Sequence, residues 1–312
     1  MSGAQGGQCH AGTVNRSVLL VAHTGREANA AAARRVARRL LAAGIEVRVL
    51  KDEAADIGLT GVRVCDVDRS AADGAEVVLV LGGDGSILRA AELAREARVP
   101  LLGVNLGRVG FLAAAESEDL DETVEILLDR GYAVEERRTL AVQVMQDTVV
   151  THQTWALNEA TVEKAARERM LEVVVEIDGR PLSRWGCDGV IAATPTGSTA
   201  YAFSGGGPVI WPGVEAFVVV PISAHALFAR PLVLALTSVL ALEVLPSGAS
   251  AVLACDGRRT VAVPRGARVE VRRGDVPVLL ARTKAVPFTD TLVGKFGLPV
   301  EGWRGRAERG RP

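Results

Sequence analysis

Residues 82 to 86 read Gly-Gly-Asp-Gly-Ser, after an apolar run from Val77 to Leu81 and before a helical pattern with Leu88 and Leu93. Strand, glycine turn and helix together present backbone N–H groups to phosphate. A carboxylate in the middle of such a turn would repel the phosphate, so Asp84 needs a reason. It reads as a turn residue, as a helix cap, or as a base that takes the proton of an attacking hydroxyl beside a phosphate site. Glycines on both sides are more than a cap requires, and they let the backbone approach a ligand closely. The turn is not a P-loop, because the Gly294-Lys295 pair is followed by Phe296, and no G-x-G-x-x-G follows a strand.

Three further stretches carry comparable chemistry. Gly103 to Leu112 (GVNLGRVGFL) follows the next apolar strand. Loops at the carboxyl ends of neighbouring parallel strands share one crevice, which sets Asn105 and Gly107 near Asp84; the alternative is a loop that anchors Phe111 in the core. Asp188 to Pro208 holds Thr194, Thr196, Ser198, Thr199, Tyr201 and Ser204 among glycines at 197 and 205 to 207. Hydroxyls beside bare backbone suit sugar and phosphate. Asn158-Glu159 puts two polar groups inside a strand-like stretch.

The elements that position these residues fall into two patterns. Ser17 to Ala22 reads as a strand, 28 to 43 as a helix ended by Gly44, Ile45 to Leu50 as a strand, then Val77 to Leu81, the helix after Ser86, Leu101 to Val104, and a last helix from Leu120 to Arg130 ended by Gly131. This alternation predicts an α/β domain with a parallel, Rossmann-like sheet. Arg34, Arg35, Arg38 and Arg39 form the solvated face of its first helix. Beyond Val134 the helical period fades. Alternating runs and two Asp-Gly turn signals, in Ile177 to Leu182 and Cys255 to Arg259, predict a mainly β domain built as a β-sandwich. The expected organisation is a disordered leader over 1–15, an α/β nucleotide-binding domain over 16–135, a β-sandwich over 136–275, and a segment over 276–312 that returns to the first domain.

Composition narrows the function classes. The chain has 312 residues, 48% of them hydrophobic, and a net charge of −1, so it can bury a large core and has no basic bias toward nucleic acid. Its four cysteines are scattered without a C-x-x-C pair, which argues against structural zinc or a disulfide framework. No apolar stretch approaches the length of a membrane span, and no secretory signal is visible. A cytoplasmic location is expected, with neither nucleic acid nor membrane as partner.

Taken together, Gly82 to Ser86, Asn105 to Leu112, Asn158-Glu159, and Asp188-Gly189 through Thr194-Pro195-Thr196-Gly197-Ser198-Thr199-Ala200-Tyr201 resemble the NAD kinases in order and spacing. The glycine element alone is shared with lipid kinases of the diacylglycerol type; the Thr194 to Tyr201 segment is specific. The resemblance implies transfer of the γ-phosphoryl of ATP, or of inorganic polyphosphate, to the 2′-hydroxyl of the adenosine ribose of NAD, with Mg2+ or another divalent cation accompanying ATP. It implies Asp84 as the catalytic proton acceptor and Gly82, Gly83 and Ser86 as the phosphate loop. Gly85 would lie beside the substrate, Arg89 near the dinucleotide phosphates, and Asn158 and Glu159 on the ribose. Asp188 would contact the nicotinamide or adenine end. Thr199, Ala200, Tyr201, Ala202, Phe203 and Ser204 would line the adenosine pocket, and Arg169 and Arg258 are carried over on the resemblance alone. No protein metal ligand is implied. The family pattern also implies a homo-oligomer, dimer or tetramer. A lipid kinase, and an NAD(H) sensor that binds without catalysis, remain as rival readings.

Overall fold

The computed structural model describes residues 16–107, 110–167 and 169–300; the leader expected over 1–15 lies outside them. The first domain contains β1 (Ser17–Ala22), α1 (Glu27–Ala42), β2 (Glu46–Leu50), α2 (Lys51–Ile57), β3 (Arg63–Cys65), β4 (Val77–Leu81), α3 (Asp84–Ala94), β5 (Leu101–Asn105), β6 (Ala115–Glu116), α4 (Leu120–Leu128) and β7 (Ala133–Arg137). The second contains β8 (Leu140–Gln146), β9 (Val149–Ala156), β10 (Glu159–Lys164), β11 (Leu171–Ile177), β12 (Arg180–Cys187), β13 (Gly189–Ala193), α5 (Tyr201–Ser204), β14 (Ala216–Ile222), β15 (Leu232–Ala235), β16 (Leu240–Val244), β17 (Ala251–Cys255), β18 (Arg259–Val263) and β19 (Ala267–Arg273). β20 (Val278–Arg282) and α6 (Phe288–Phe296) follow.

The first sheet has the order β3-β2-β1-β4-β5-β20-β7, with β6 beside β5. It is parallel except for β7 against β20. Alternation along β1 divides its side chains between two cores. Val18 and Leu20 meet Val36 and Leu40 of α1 and Val124 of α4, whereas Leu19 and Val21 meet Ile87, Ala90 and Ala94 of α3. Helices therefore cover both faces, as a buried parallel sheet requires. The boundary expected near 135 falls inside β7; the chain leaves this sheet after Arg137, and β20 inserts between β5 and β7. Helix α4 stops at Leu128, and the residue that takes the left-handed conformation after it is Arg130 (φ 56°) rather than Gly131.

Two six-stranded antiparallel sheets form the second domain. Val142, Val173 and Leu242 of one face Val162, Val190, Phe217 and Leu253 of the other in one buried core, so the domain is a sandwich. Both Asp-Gly signals turn the chain with left-handed pairs, Asp178-Gly179 (φ 52° and 74°) and Asp256-Gly257 (φ 54° and 64°).

The C-terminal end of α3 joins the domains. Trp155, in β9, lies between the guanidinium groups of Arg95 and Arg259, 4.5 and 4.4 Å from its ring centre. Glu92 of α3 pairs with both Arg258 and Arg259. Arg259 also donates to the buried Asp256 carboxylate at 2.7 Å. Breaking a buried pair by removing one partner leaves an uncompensated charge. Arg259→Met is therefore expected to lower the unfolding free energy by about 3 kcal/mol. Arg69→Met, which breaks the exposed pair with Glu96, should cost about 0–1 kcal/mol. Urea unfolding of the two variants checks the difference.

Candidate active site

Asp84 is the first residue of α3, and Gly83 before it takes the N-cap position with extended backbone. The Asp84 side chain does not cap its own helix. Its two oxygens accept the N–H groups of Phe111 and Leu112, each at 3.1 Å. The carboxylate thus reaches from the glycine turn across to the loop after β5. Two glycines make room for this. A Cβ at Gly110 would collide with the Asp84 carboxylate, and one at Gly82 would collide with the Ser86 hydroxyl. A Cβ at Gly85 would meet nothing within 4 Å, so the turn is open on that side.

Opposite Asp84 stands the loop after β13. A cavity of about 210 Å³ is lined by Asp84, Phe111, Leu112, Asn158, Thr196, Thr199, Ala200 and Lys295. It brings together the glycine turn, the loop after β5, Asn158 and the Thr194 to Tyr201 segment, all singled out by sequence. The hydroxyls divide between two duties. Thr194 and Ser198 are fully buried and bond backbone: Thr194 Oγ1 donates to the Leu157 carbonyl at 2.6 Å, and Ser198 Oγ donates to Pro195 at 2.7 Å. They shape the loop. Thr196 and Thr199 face the cavity. Gly197 is packed so closely on the Asn158 backbone that a Cβ would collide with it.

Asn158 is held by its backbone. Its N–H donates to Asp256 at 2.7 Å, and its carbonyl accepts the Thr194 N–H at 2.9 Å. Glu159 beside it is 7% exposed, and its Oε2 has no hydrogen-bond partner among the described residues. Burial pushes the Glu159 carboxyl up to about 7, and the nearby Asp256 charge pushes the same way against the N–H of Tyr201.

The remaining sequence-derived residues are distributed less simply. Arg89 pairs with Asp52 and Glu53 at 2.6 and 2.7 Å. Burial pushes Glu53 up to about 7, opposed by the Ala22 N–H and by Arg89. Arg258 pairs with Glu92, and Arg169 is exposed on the loop between β10 and β11. Ala202 is fully buried and packs in the core beneath α5, so its side chain does not line the pocket expected of it. Tyr201 and Phe203 are exposed, as is Ser204. Asp188 pairs with Lys164 at 2.6 Å, which holds its carboxyl below the usual range. It sits at the far end of β13 from Thr194, about 20 Å away at roughly 3.3 Å per residue.

Sequence reasoning missed α6 as a wall of this site. Phe296 packs on Phe203 (ring centres 4.7 Å apart) and Phe111 (5.9 Å), and Phe288 packs on Trp211 (5.2 Å). The helix thereby touches both domains and brings Lys295 to the cavity. Its signals were present: Pro287 before the first turn, Asp290 within it, Leu292 and Phe296 four apart, and Gly297 to stop it. Asp256 and Gly110 were missed as supports for Asn158 and Asp84.

A carboxylate at a glycine turn, facing hydroxyls of a second domain across a cleft, belongs to a two-domain phosphotransferase. The chain is a member of the NAD kinase family: residues 18–132 match the ATP-NAD kinase N-terminal domain and residues 157–283 match the ATP-NAD kinase C-terminal domain. It is 60% identical to an NAD kinase of Thermobifida fusca over 304 residues, covering 95% of this chain and 93% of that one. It is also 60% identical to NAD kinase 2 of Streptomyces coelicolor, covering 93% of this chain and 97% of that one. The fold superposes on yeast NADH kinase crystallised with NADH with a TM-score of 0.83 at 22% identity, over 92% of this chain and 89% of that one.

The raised Glu159 carboxyl gives a signed prediction. Its stability contribution is fully present below the unfolded value near 4.5 and is lost as pH rises through about 7. Glu159→Gln removes that dependence. Thermal unfolding should show the variant gaining on the parent between pH 5 and pH 8, by on the order of 3 kcal/mol at the upper end.

Proposed function

We propose that this chain transfers the γ-phosphoryl of ATP to the 2′-hydroxyl of the adenosine ribose of NAD, giving NADP, with Asp84 accepting the hydroxyl proton. One observation carries the reading: Asp84, Asn158, Thr196 and Thr199, drawn from two domains, line one cavity. Asn158 and Glu159 orient the ribose, and Thr199, Ala200, Tyr201, Phe203 and Ser204 border the adenosine. The open side of Gly85 admits the substrate to the turn. Asp188, at the opposite end of β13 from Thr194, is read as contacting the nicotinamide or adenine end of the dinucleotide. Arg169 lies on an exposed loop from which it would reach only the outer edge of the substrate. Arg89 and Arg258 serve the substrate indirectly, by fixing α3 through Glu53 and Glu92.

Asp84 acts on the acceptor, not on the donor phosphates. The Gly82 N–H donates to the Val104 carbonyl at 3.0 Å, so the N–H groups of Gly83 and Gly85 are those the turn would offer to phosphate, and the carboxylate turns the other way, toward Phe111 and Leu112. Among the described residues no three His, Cys, Asp or Glu side chains gather to hold a metal ion. Magnesium is read as part of the substrate, arriving on the ATP phosphates. We extend the reading to a cytoplasmic homo-oligomer. The exposed Leu227, Phe228 and Val233, on the edge strand β15 and the segment before it, give such an assembly an apolar contact. Among the described residues no helix is long and apolar enough to cross a membrane.

The test is purified protein with NAD and either Mg-ATP or polyphosphate, followed by detection of NADP. Asp84→Asn keeps the side-chain shape and should reduce kcat by about 10²–10⁴, with the unfolding midpoint and NAD affinity close to those of the parent. Parent-like turnover in that variant would remove Asp84 from the chemistry.

A further inference from the structure

Two substrates must meet at Asp84, and the cavity beside it has room for only part of one. Its volume is about 210 Å³, below the roughly 300–1,000 Å³ of an ordinary ligand pocket, and its walls are those assigned to the acceptor. The parallel sheet provides a second opening. From β1 the chain runs through α1 to β2 on one side, and from β4 it runs through α3 to β5 on the other. The two helices also take opposite faces: α1 packs on Val18 and Leu20, α3 on Leu19 and Val21. The connections therefore diverge above the carboxyl ends of β1 and β4, and ligands of open α/β sheets enter the crevice at such a switch point. One wall of this crevice is the glycine turn. The other is the loop that begins with His23, which the site described above does not use.

We propose that His23 binds the phosphate chain of the donor nucleotide in this crevice, for the reaction given above, on which this inference rests. The loop is held in place by its own backbone. The His23 N–H donates to the Leu81 carbonyl at 3.0 Å, one residue before the glycines, and the His23 carbonyl accepts Nδ2 of the buried Asn29 at 2.9 Å. The next residue, Thr24, donates its hydroxyl to Asp56 at 2.6 Å. The His23 Cβ stands 3.4 Å from the point a Cβ on Gly82 would occupy, so the histidine and the turn are immediate neighbours. Its ring lies along Gly25, with Cε1 and Nε2 at 3.6 and 3.7 Å from the point a Gly25 Cβ would take. The backbone of His23 is thus fully tied, while the imidazole is exposed and bonds nothing among the described residues.

A phosphate chain laid on the N–H groups of Gly83 and Gly85 would pass this ring. An imidazole offers an N–H donor in either of its charge states, and hydrogen bonds to an ionised acceptor are the strong ones. The two substrates are then divided about Asp84: the acceptor on the side of Phe111 and the second domain, the donor on the side of β1. The ribose 2′-oxygen forms its bond to the γ-phosphorus while the bond from that phosphorus to the β–γ bridging oxygen breaks. The bridging oxygen leaves with the electron pair as part of ADP, the 2′-hydroxyl proton passes to Asp84, and His23 keeps its own proton.

The experiment compares parent, His23→Ala and His23→Gln with NAD and Mg-ATP, measuring kcat, both KM values, Mg-ADP affinity by calorimetry and the unfolding midpoint. Both variants keep the backbone ties of the loop and, at an exposed position, should fold. The expected result for His23→Ala is a KM for Mg-ATP raised about tenfold and a Mg-ADP affinity lowered to match, with the KM for NAD within about twofold and the midpoint unchanged. His23→Gln keeps an N–H donor and should recover most of the loss. A KM for Mg-ATP within about twofold of the parent in His23→Ala overturns the inference. So does an equal loss for NAD and ATP, or a loss in both variants that goes with a lowered midpoint, since either marks a structural role. If the parent itself makes no NADP, the underlying reading fails instead, and the two failures are distinguished by the parent alone.

Discussion

A carboxylate removed from water must be paired, and Asp256 is the place where this constraint organises the molecule. Its oxygens accept the N–H groups of Leu157 and Asn158, and Arg259 supplies the opposite charge. Those partners belong to different parts of the fold. Asn158 immediately precedes β10, which begins with Glu159. Arg259 goes on to Glu92 and to the face of Trp155, and Glu92 sits two turns along the helix that begins with Asp84. Satisfying one buried charge therefore sets the distance between Asp84 on the first domain and Asn158 and Glu159 on the second.

The glycine turn can then be understood as a division of labour. Asp84 holds the N–H groups of Phe111 and Leu112, while Arg282 donates to the carbonyls of Leu112 and Ala113 at 3.0 and 2.6 Å. The loop after β5 is gripped from both sides, by an anion on its N–H groups and a cation on its carbonyls. Arg282 comes from β20, the strand that returns to the first sheet after the whole sandwich has been built. The second domain is thus inserted between two strands of the first, and closing that sheet also fixes the loop that receives Asp84. Beyond the same loop lies a larger cavity of about 810 Å³, bordered by Arg137, Arg282 and Phe288. The loop is a thin wall between two spaces and owes its position to these two grips.

The parts legible in the sequence are those whose signals are local. The strand–turn–helix at Val77 to Ala94 carries its apolar run, its glycines and its helical stripe in one stretch, and the structure has the strand at the residues expected. The Asp-Gly hairpins were legible for the same reason, since a left-handed pair is encoded by the two residues that adopt it. Other features depended on partners distant in sequence. A hydroxyl does not announce its acceptor, so Thr194 and Ser198 looked like ligand groups although they bond backbone, while Thr196 and Thr199 in the same run face the cavity. The pairing of Arg89 with Asp52 and Glu53 was not legible either, because both carboxylates lie on α2, a short helix with too few apolar positions to stand out. Helix α6 was hidden in a similar way: Leu292 is its one buried residue, and its aromatic rings find partners only in the folded protein.

In the proposed reaction the carboxylate in the glycine turn faces the acceptor hydroxyl. The most direct measurement is a crystal structure of the protein with NAD bound. The expected result is a carboxylate oxygen of Asp84 about 2.6–3.2 Å from the ribose 2′-oxygen, the reach required of a general base. A 2′-oxygen bonded instead to Asn158 or Glu159, with Asp84 still turned to Phe111 and Leu112 and beyond hydrogen-bond reach of the ribose, would contradict it.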